Sequence, residues 1–320
     1  MLVNVFIPTY NAQVTLLDET LNSVLRQTYS DIELWLVDDA STDDTPKRLD
    51  EWAKRDSRIH VIHKKHDGSV PFAWNEVFPK LNGEFTLYMS HDDLLSEDCI
   101  EKLVKKQQEG DYDCVIPSCV GFEKDCTKPE DSFEEFNKKS NVSGRKVMSG
   151  REAFFEMLDY GIPGFALWRT DLIREIGMPT ESFNSDEGMQ RIWALHCKEV
   201  AFEGDAKFYY RMVAGSITKG LKPYHYGSLL TLLRLIERGR KLLADKELNE
   251  NCLLKYRAFE KFARKSYVYL ATMYLKNKRS YDNGERGNIE DVLEKTKMLF
   301  SSQIVRFCLP LIVNVNGLRK

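Results

Sequence analysis

The stretch IELWLVDDASTDDTPKRL, residues 32–49, changes character twice. Five of its first six residues are apolar and the run is rich in β-formers, too short for an amphipathic helix and suited to a buried strand. The acidic, hydroxyl-rich turn Asp38 to Asp44 ends that run. Pro46 then falls in the first turn of a helix for which Asp44 or Thr45 is available as cap. The same alternation extends in both directions. LVNVFI (2–7), IHVIH (59–63), FTLYM (85–89) and DCVIP (113–117) read as further strands. Between them, Leu17, Leu21, Val24 and Leu25 build one helix face, and helices open at Ser69-Val70-Pro71 and Ser96-Glu97-Asp98. Near-continuous apolar strands separated by helices predict an α/β fold with a mostly parallel central sheet covered on both faces.

Further along, 122–146 is polar and of mixed charge and reads as an excursion or loop. A helix follows Ser149, FALW (165–168) is another strand, and Thr170 caps a short helix that Gly177 ends. One more helix begins near Ser185, and KFYYRM (207–212) closes the series of strands. From about residue 225 the pattern is helical, with a dense apolar run from Leu229 to Ile236 and a long helix over 251–276. The segment SSQIVRFCLPLIVNV (301–315) is short, apolar and flanked by charge. The chain therefore divides into a front domain, 1–220, and a helical region, 221–320.

Of the 320 residues, 42% are apolar and 30% charged, which excludes a disordered or fibrous chain. No apolar run approaches the ~20 residues of a membrane span, and the N-terminus reads as a strand rather than a signal peptide. The seven cysteines form no CxxC pair, so reduced thiols in the cytoplasm are expected. The net charge of −3 conceals a division: residues 1–220 carry −13 and residues 221–320 carry +10. An acidic front and a basic back suit different partners.

In an open α/β sheet, ligands bind outside the carboxyl ends of the strands. Three polar clusters sit at such ends: Pro8-Thr9-Tyr10-Asn11, Asp38-Asp39, and Ser90-His91-Asp92-Asp93. Paired aspartates are hard oxygen ligands, suited to Mg²⁺ or Mn²⁺ carrying a diphosphate. No GxGxxG or GxxxxGK[ST] occurs, which excludes the Rossmann dinucleotide and P-loop readings. His60, His63 and His66 lack a matching ligand set and read as solvated or packed side chains.

Taken in order, VFIPTYN (5–11), QTYSDIELWLVDDASTDDT (27–45), the stretch Gly68 to Asn75, LNGEFTLYMSHDDLL (81–95), then FNSDEGMQRIWALHC (183–197) and KFYYRMVAGSIT (207–218), resemble family 2 glycosyltransferases. The resemblance implies the GT-A fold, with a nucleotide-binding half over 1–100 and an acceptor half over 101–220. It implies transfer of a sugar from a nucleotide donor, UDP-linked most often, with inversion and with Mn²⁺ or Mg²⁺. By the same resemblance Pro8, Thr9, Tyr10, Asn11, Gly68 and Asn75 line the nucleotide site, Asp39 accepts from the base and Asp38 supports the loop. Asp92 and Asp93 match the metal motif, one on the ion and the other on the ribose or an ion-bound water. Asp186 stands at the catalytic base, with Glu187 beside it, and Arg211 is assigned to the acceptor or donor-sugar pocket; Trp168 reads from its residue type as a core aromatic or a wall of that pocket. The acceptor expected is a glycan or lipid-linked hydroxyl in surface polysaccharide synthesis. The basic region 221–320 suggests an anionic membrane surface on the cytosolic side, or alternatively a homodimer, with no nucleic-acid partner.

Three positions depart from the family pattern. Ser90 replaces the first aspartate of Asp-x-Asp, Trp74 stands where an arginine is usual, and Val213 where a histidine often follows the closing arginine. These bear on metal dependence and donor sugar. A nucleotidyltransferase would need a glycine-rich basic loop after the first strand, which PTYNAQVTL (8–16) does not supply. A receiver domain carries its acidic pair after the first strand, not the second. A degenerate transferase that only binds nucleotide sugar is the remaining alternative.

Overall fold

A computed structural model describes residues 1–65, 70–123, 134–178, 185–212, 221–244 and 249–297. The chain forms two compact units, one of Met1–Met178 with Met189–Ser216 and one of Pro179–Gly188 with Ile217–Lys320.

The first unit opens with β1 (Val3–Thr9), α1 (Val14–Leu25), β2 (Ile32–Asp38), α2 (Thr45–Ala53), β3 (Ile59–His63), α3 (Val70–Val77) and β4 (Phe85–Tyr88). Next come β5 (Leu94–Leu95), α4 (Cys99–Gly110), β6 (Cys114–Phe122), α5 (Glu134–Ser140), β7 (Met148–Ser149) and α6 (Gly150–Leu158). β8 (Leu167–Arg169), α7 (Thr170–Ile176), α8 (Ser185–His196) and β9 (Glu199–Arg211) follow, α8 starting in the second unit.

The sheet runs β3-β2-β1-β4-β8-β6-β9-β5, with β7 also on β9. β3, β2, β1 and β4 are mutually parallel, as expected. β8 then enters antiparallel to both β4 and β6, pairing Leu87 with Leu167 and Val115 with Leu167. Strand direction is not contained in a local apolar run, so FALW is legible as a strand but not as the one that breaks the parallel order.

β1 is central and almost wholly buried. Val3, Val5 and Ile7 pack with Leu34, Leu36 and Leu87 from its neighbours. On the other face Phe6 meets Trp74 at 4.5 Å between ring centroids, and Trp74 meets Trp193 at 5.2 Å. Burial of such rings contributes roughly 2–3 kcal/mol each. A polar cluster is built into this core around Asn4, which donates to the carbonyls of Gly83 and Phe85 and accepts from the Gly83 N–H. A Cβ at Gly83 would stand 2.7 Å from the Leu2 carbonyl, so only glycine allows this approach.

Two local expectations are corrected. The polar span 122–146 contains α5, and Thr170 is not the cap of α7. Arg169 occupies the cap position, while the Thr170 hydroxyl is 2.8 Å from that of Thr86 in the core. Gly177 does end α7, in the left-handed region at φ 75°.

In the second unit a short 3-10 turn, Pro223–Gly227, leads to α9 (Ser228–Leu243), α10 (Glu250–Asn277) and α11 (Asn283–Thr296). Tyr226, Tyr274 and Tyr281 form a ring cluster, each pair 6.3 Å apart. A Cβ at Gly188 would lie 2.5 Å from Thr231 Cγ2, so the first turn of α8 stands close against α9. The apolar segment 301–315 lies outside the described residues.

Candidate active site

Because β2, β1 and β4 are parallel neighbours, their carboxyl ends share one rim. Adjacent strands are about 5 Å apart, so the outer two ends stand about 10 Å from each other. The β1 and β2 loops are stitched together there. Thr9 pairs with Asp38 in register, and the Asp39 N–H donates to the Thr9 carbonyl at 2.9 Å. The Asn11 N–H donates to Ser41 Oγ and the Thr42 N–H to Asn11 Oδ1, both at 2.8 Å. Asn11 and Ala40 adopt φ 45° and 54°, which turns both loops sharply.

Side chains on this rim divide by depth. Tyr10 is 46% exposed and Asn11 is exposed, with Pro8 half-buried beside them. Thr9, expected to line the site, is instead buried, donating its hydroxyl to the Val37 carbonyl at 3.2 Å. Side chains of a strand alternate between the two faces of the sheet, and the Thr9 side chain falls on a buried one.

The paired aspartates also separate. Asp38 is buried; one oxygen accepts from the Ser41 N–H at 3.1 Å and the other lies 3.1 Å from His63 Nδ1. His63 Nε2 in turn meets Asp50 Oδ1 at 3.1 Å. Burial pushes the His63 pKa down, but its two carboxylate partners outweigh this and raise it above the usual 6.5. Asp39 carries a salt bridge of 2.5 Å to Lys64 Nζ, with both side chains largely buried. Lys64 was missed in the sequence because nothing marks the residue after β3 as facing the residue after β2. The pairing of Asp38 with His63 across β2 and β3 is the register that brings them together. His60 instead stacks on Trp35 at 4.4 Å.

Past β4, Thr20 Oγ1 donates to the His91 carbonyl at 2.9 Å, tying this loop to α1. Asp92 is half-buried, whereas Asp93 is fully buried. Asp93 Oδ1 accepts the Arg211 N–H at 3.0 Å, and its buried Oδ2 has no hydrogen-bond partner among the described residues. Burial, reinforced by the Asp92 charge, pushes the Asp93 carboxyl well above the usual carboxylate range. Asp93, expected with Asp92 to hold the metal, thus stands fully buried behind the rim, and Asp92 is the more accessible of the two.

Arg211 is likewise removed from the sugar pocket. Its guanidinium donates to the Asp92 carbonyl at 2.7 Å and to Glu19 Oε2 at 2.6 Å, over the Phe122 ring at 4.6 Å. It braces the Asp92 loop from beneath. Trp168 takes the core alternative rather than the pocket wall: it is 1% exposed and packs on Trp193 at 5.7 Å. Asn75 is exposed on α3 and donates to the Met178 carbonyl at 3.2 Å, fastening α3 to the end of α7. Gly68 lies outside the described residues. Asp186 sits in the first turn of α8, its side chain outside what is described, and Glu187 is half-buried in the same turn.

Among the described residues no three His, Cys, Asp or Glu side chains converge as a metal cage. A divalent ion bound through one carboxylate, with diphosphate oxygens and water completing its shell, needs no such cage. The hard oxygens of Asp92, with the Ser90 hydroxyl two residues before it, fit that donor set.

The model of glycosyl transferase family 2 matches residues 4–177. The chain belongs to this family. As a family 2 glycosyltransferase it is 27% identical over 224 residues to glycosyltransferase GlyG of Streptococcus pneumoniae, covering 68% of this chain and 73% of that one. It is 24% identical over 275 residues to the GalNAc(5)-diNAcBac-PP-undecaprenol beta-1,3-glucosyltransferase of Campylobacter jejuni, covering 84% and 85%. Among solved structures, S. aureus TarS 1–349 in complex with UDP-GlcNAc superposes with a TM-score of 0.63 at 16% identity, covering 99% of this chain and 88% of that one. The mannosyltransferase PcManGT of Pyrobaculum calidifontis in complex with GDP-Man and Mn²⁺ gives 0.55 at 18% identity, covering 92% and 86%. These likenesses carry the GT-A glycosyltransferase fold across the family. No helix among the described residues is long and apolar enough to cross a membrane.

Proposed function

We propose that this glycosyltransferase moves a sugar from a UDP-sugar to a hydroxyl of a glycan or lipid-linked acceptor in surface polysaccharide synthesis, inverting the anomeric carbon. The observation that carries the reading is the single rim at the ends of β2, β1 and β4. It presents Asp39 with Lys64, the exposed Tyr10 ring, and Asp92 within the span of one nucleoside diphosphate. The UDP-GlcNAc held by TarS supports a uridine donor, and the undecaprenol-linked acceptor in the Campylobacter relative's name supports a lipid carrier. The cytosolic face of a membrane is then the place of action.

In this mechanism the Tyr10 face packs on the base and Asp39 accepts a base N–H, while Asp92, with Ser90 beside it, would hold the divalent ion. When bound, Mn²⁺ or Mg²⁺ supplies Lewis-acid neutralisation of the departing diphosphate. Asp186, on the first turn of α8, takes the proton of the acceptor hydroxyl as its oxygen bonds to the anomeric carbon. The bond from that carbon to the diphosphate breaks in the same displacement. General-base help of this kind is worth ~10²–10⁴-fold, and the positive end of the helix favours ionised Asp186. No covalent intermediate forms.

Thermal-shift titration with UDP, GDP, ADP and CDP, with and without Mn²⁺, tests the donor site, since a ligand of the folded state raises stability by mass action. Stabilisation by UDP that needs Mn²⁺ and is lost in Asp39→Ala supports the reading; no preference among the nucleotides overturns the uridine assignment. The replacement of the first motif aspartate by Ser90 favours one second reading, a nucleotide-sugar binder without turnover. Slow release of UDP from UDP-sugar in the absence of acceptor excludes it.

A further inference from the structure

α10 is 28 residues long and two-faced. Cys252, Tyr256, Phe259, Ala263, Tyr267 and Tyr274 are buried along one side. The opposite side should be polar in a helix that meets only water. It is not: Leu254, Phe262, Val268, Tyr269 and Leu275 are each 48–57% exposed. At 100° per residue these five lie within the half-turn facing away from the buried stripe. Four exposed cations, Arg257, Lys261, Lys265 and Lys276, interleave with them. The one acidic residue between Leu254 and Lys276 is Glu260, which is 22% exposed and pairs with Arg240 and Arg264 instead.

Large apolar side chains set among cations, along about six turns without an outward carboxylate, match an interfacial helix. The apolar groups enter the headgroup boundary while the long lysine stems reach phosphates. A second copy of this face would bring like charges together. Residues 298–320 carry three cations and no carboxylate, so they do not complement it either. From charge complementarity we infer that the outward face of α10 is a docking surface for an anionic lipid bilayer, lying in the plane of the interface without crossing it. This inference makes specific the membrane contact in the proposed function, but it does not depend on donor chemistry.

The test is flotation of the full chain with phosphatidylcholine vesicles, with and without one-quarter phosphatidylglycerol, at 50 and 500 mM NaCl. Binding to the anionic vesicles alone, weakened by salt, is expected. Each basic residue near such a surface contributes about fivefold to partitioning, so Lys261→Glu with Lys265→Glu should lower it by at least about thirtyfold. Phe262→Ser with Tyr269→Ser should lower it at both salt concentrations, which a purely electrostatic contact would not. Lys47→Glu, on the exposed side of α2, is the control and should float as the parent does. All substituted positions are exposed, and circular dichroism confirms that the variants fold. The proposal fails if neutral vesicles bind equally, if the α10 variants float as the parent does, or if the vesicle-free protein is a dimer that these substitutions dissociate. UDP-induced stabilisation, measured on the same variants, should be unchanged, so failure here is separable from failure of the donor-site reading.

Discussion

Lys64 Nζ stands 2.5 Å from Asp39 Oδ1, a salt bridge between consecutive strand ends with little of either side chain in water. The carboxylate proposed to read the base is thereby oriented before any nucleotide arrives. Removing the cation leaves a largely buried negative charge, and breaking such pairs costs about 3 kcal/mol or more. Lys64→Met should lower the urea midpoint accordingly and weaken UDP in calorimetry by at least tenfold. Unchanged UDP affinity would remove Asp39 from base recognition.

The two motif aspartates should separate cleanly on substitution. Asp93→Asn keeps an acceptor for the Arg211 N–H and removes a charge that burial disfavours. Stability at pH 8 should stay within about 1 kcal/mol of the parent or rise. The sign follows from the raised carboxyl: its stabilisation is complete below the ordinary value of 3.8 and is lost as pH rises through the elevated value. Asp93→Ala leaves that N–H unpaired and a void, costing about 2–4 kcal/mol. Asp92→Asn, by contrast, should fold normally and lose Mn²⁺-dependent stabilisation by UDP.

His63 confers a pH dependence of the opposite kind to an acid-labile carboxylate pair. Its pKa is raised in the folded state by Asp38 and Asp50, so its contribution is present below 6.5 and fades as pH climbs through the higher folded value. Urea midpoints measured from pH 6 to pH 8.5 should fall with pH in the parent, and His63→Gln should flatten that part of the curve. The histidine is 42% exposed, so the effect should shrink in 0.5 M salt.

Asp186→Asn should retain UDP-sugar binding while transfer falls by ~10²–10⁴-fold. Glu187→Gln should leave turnover within a few-fold of the parent. The reverse pattern would move the base by one residue along α8.

Much of this architecture was readable before any coordinates. The first four parallel strands, α1, the Pro46 helix and the helical back half each have local apolar spacing that specifies them. β8 was legible as a strand, but its antiparallel insertion was not, because pairing partners 82 and 54 residues away leave no mark on FALW. At the site, the residue types were legible and their depths were not. Asp38, Asp39, Asp92 and Asp93 look alike in sequence, yet two are consumed by the fold, one pairs with a lysine and one faces outward. The resemblance places Thr9 and Arg211 in the site, whereas Thr9 is buried on the Val37 carbonyl and Arg211 braces the Asp92 loop. α11 was missed because its apolar positions are sparse, although Asp282 and Glu285 form a capping box that marks its start.

Ala40 holds φ 54°, a region that costs a residue with a Cβ about 1 kcal/mol or more, and it does so directly after Asp39. With Asn11 hooked to Ser41 and Thr42 across from it, that expense is met once, when the chain folds. The donor should therefore meet a rigid seat, and its association should be nearly free of loop-freezing entropy. Ala40→Gly would remove that strain but free the turn, so that ordering the loop falls on each binding event, trading donor affinity for mobility in an otherwise intact enzyme.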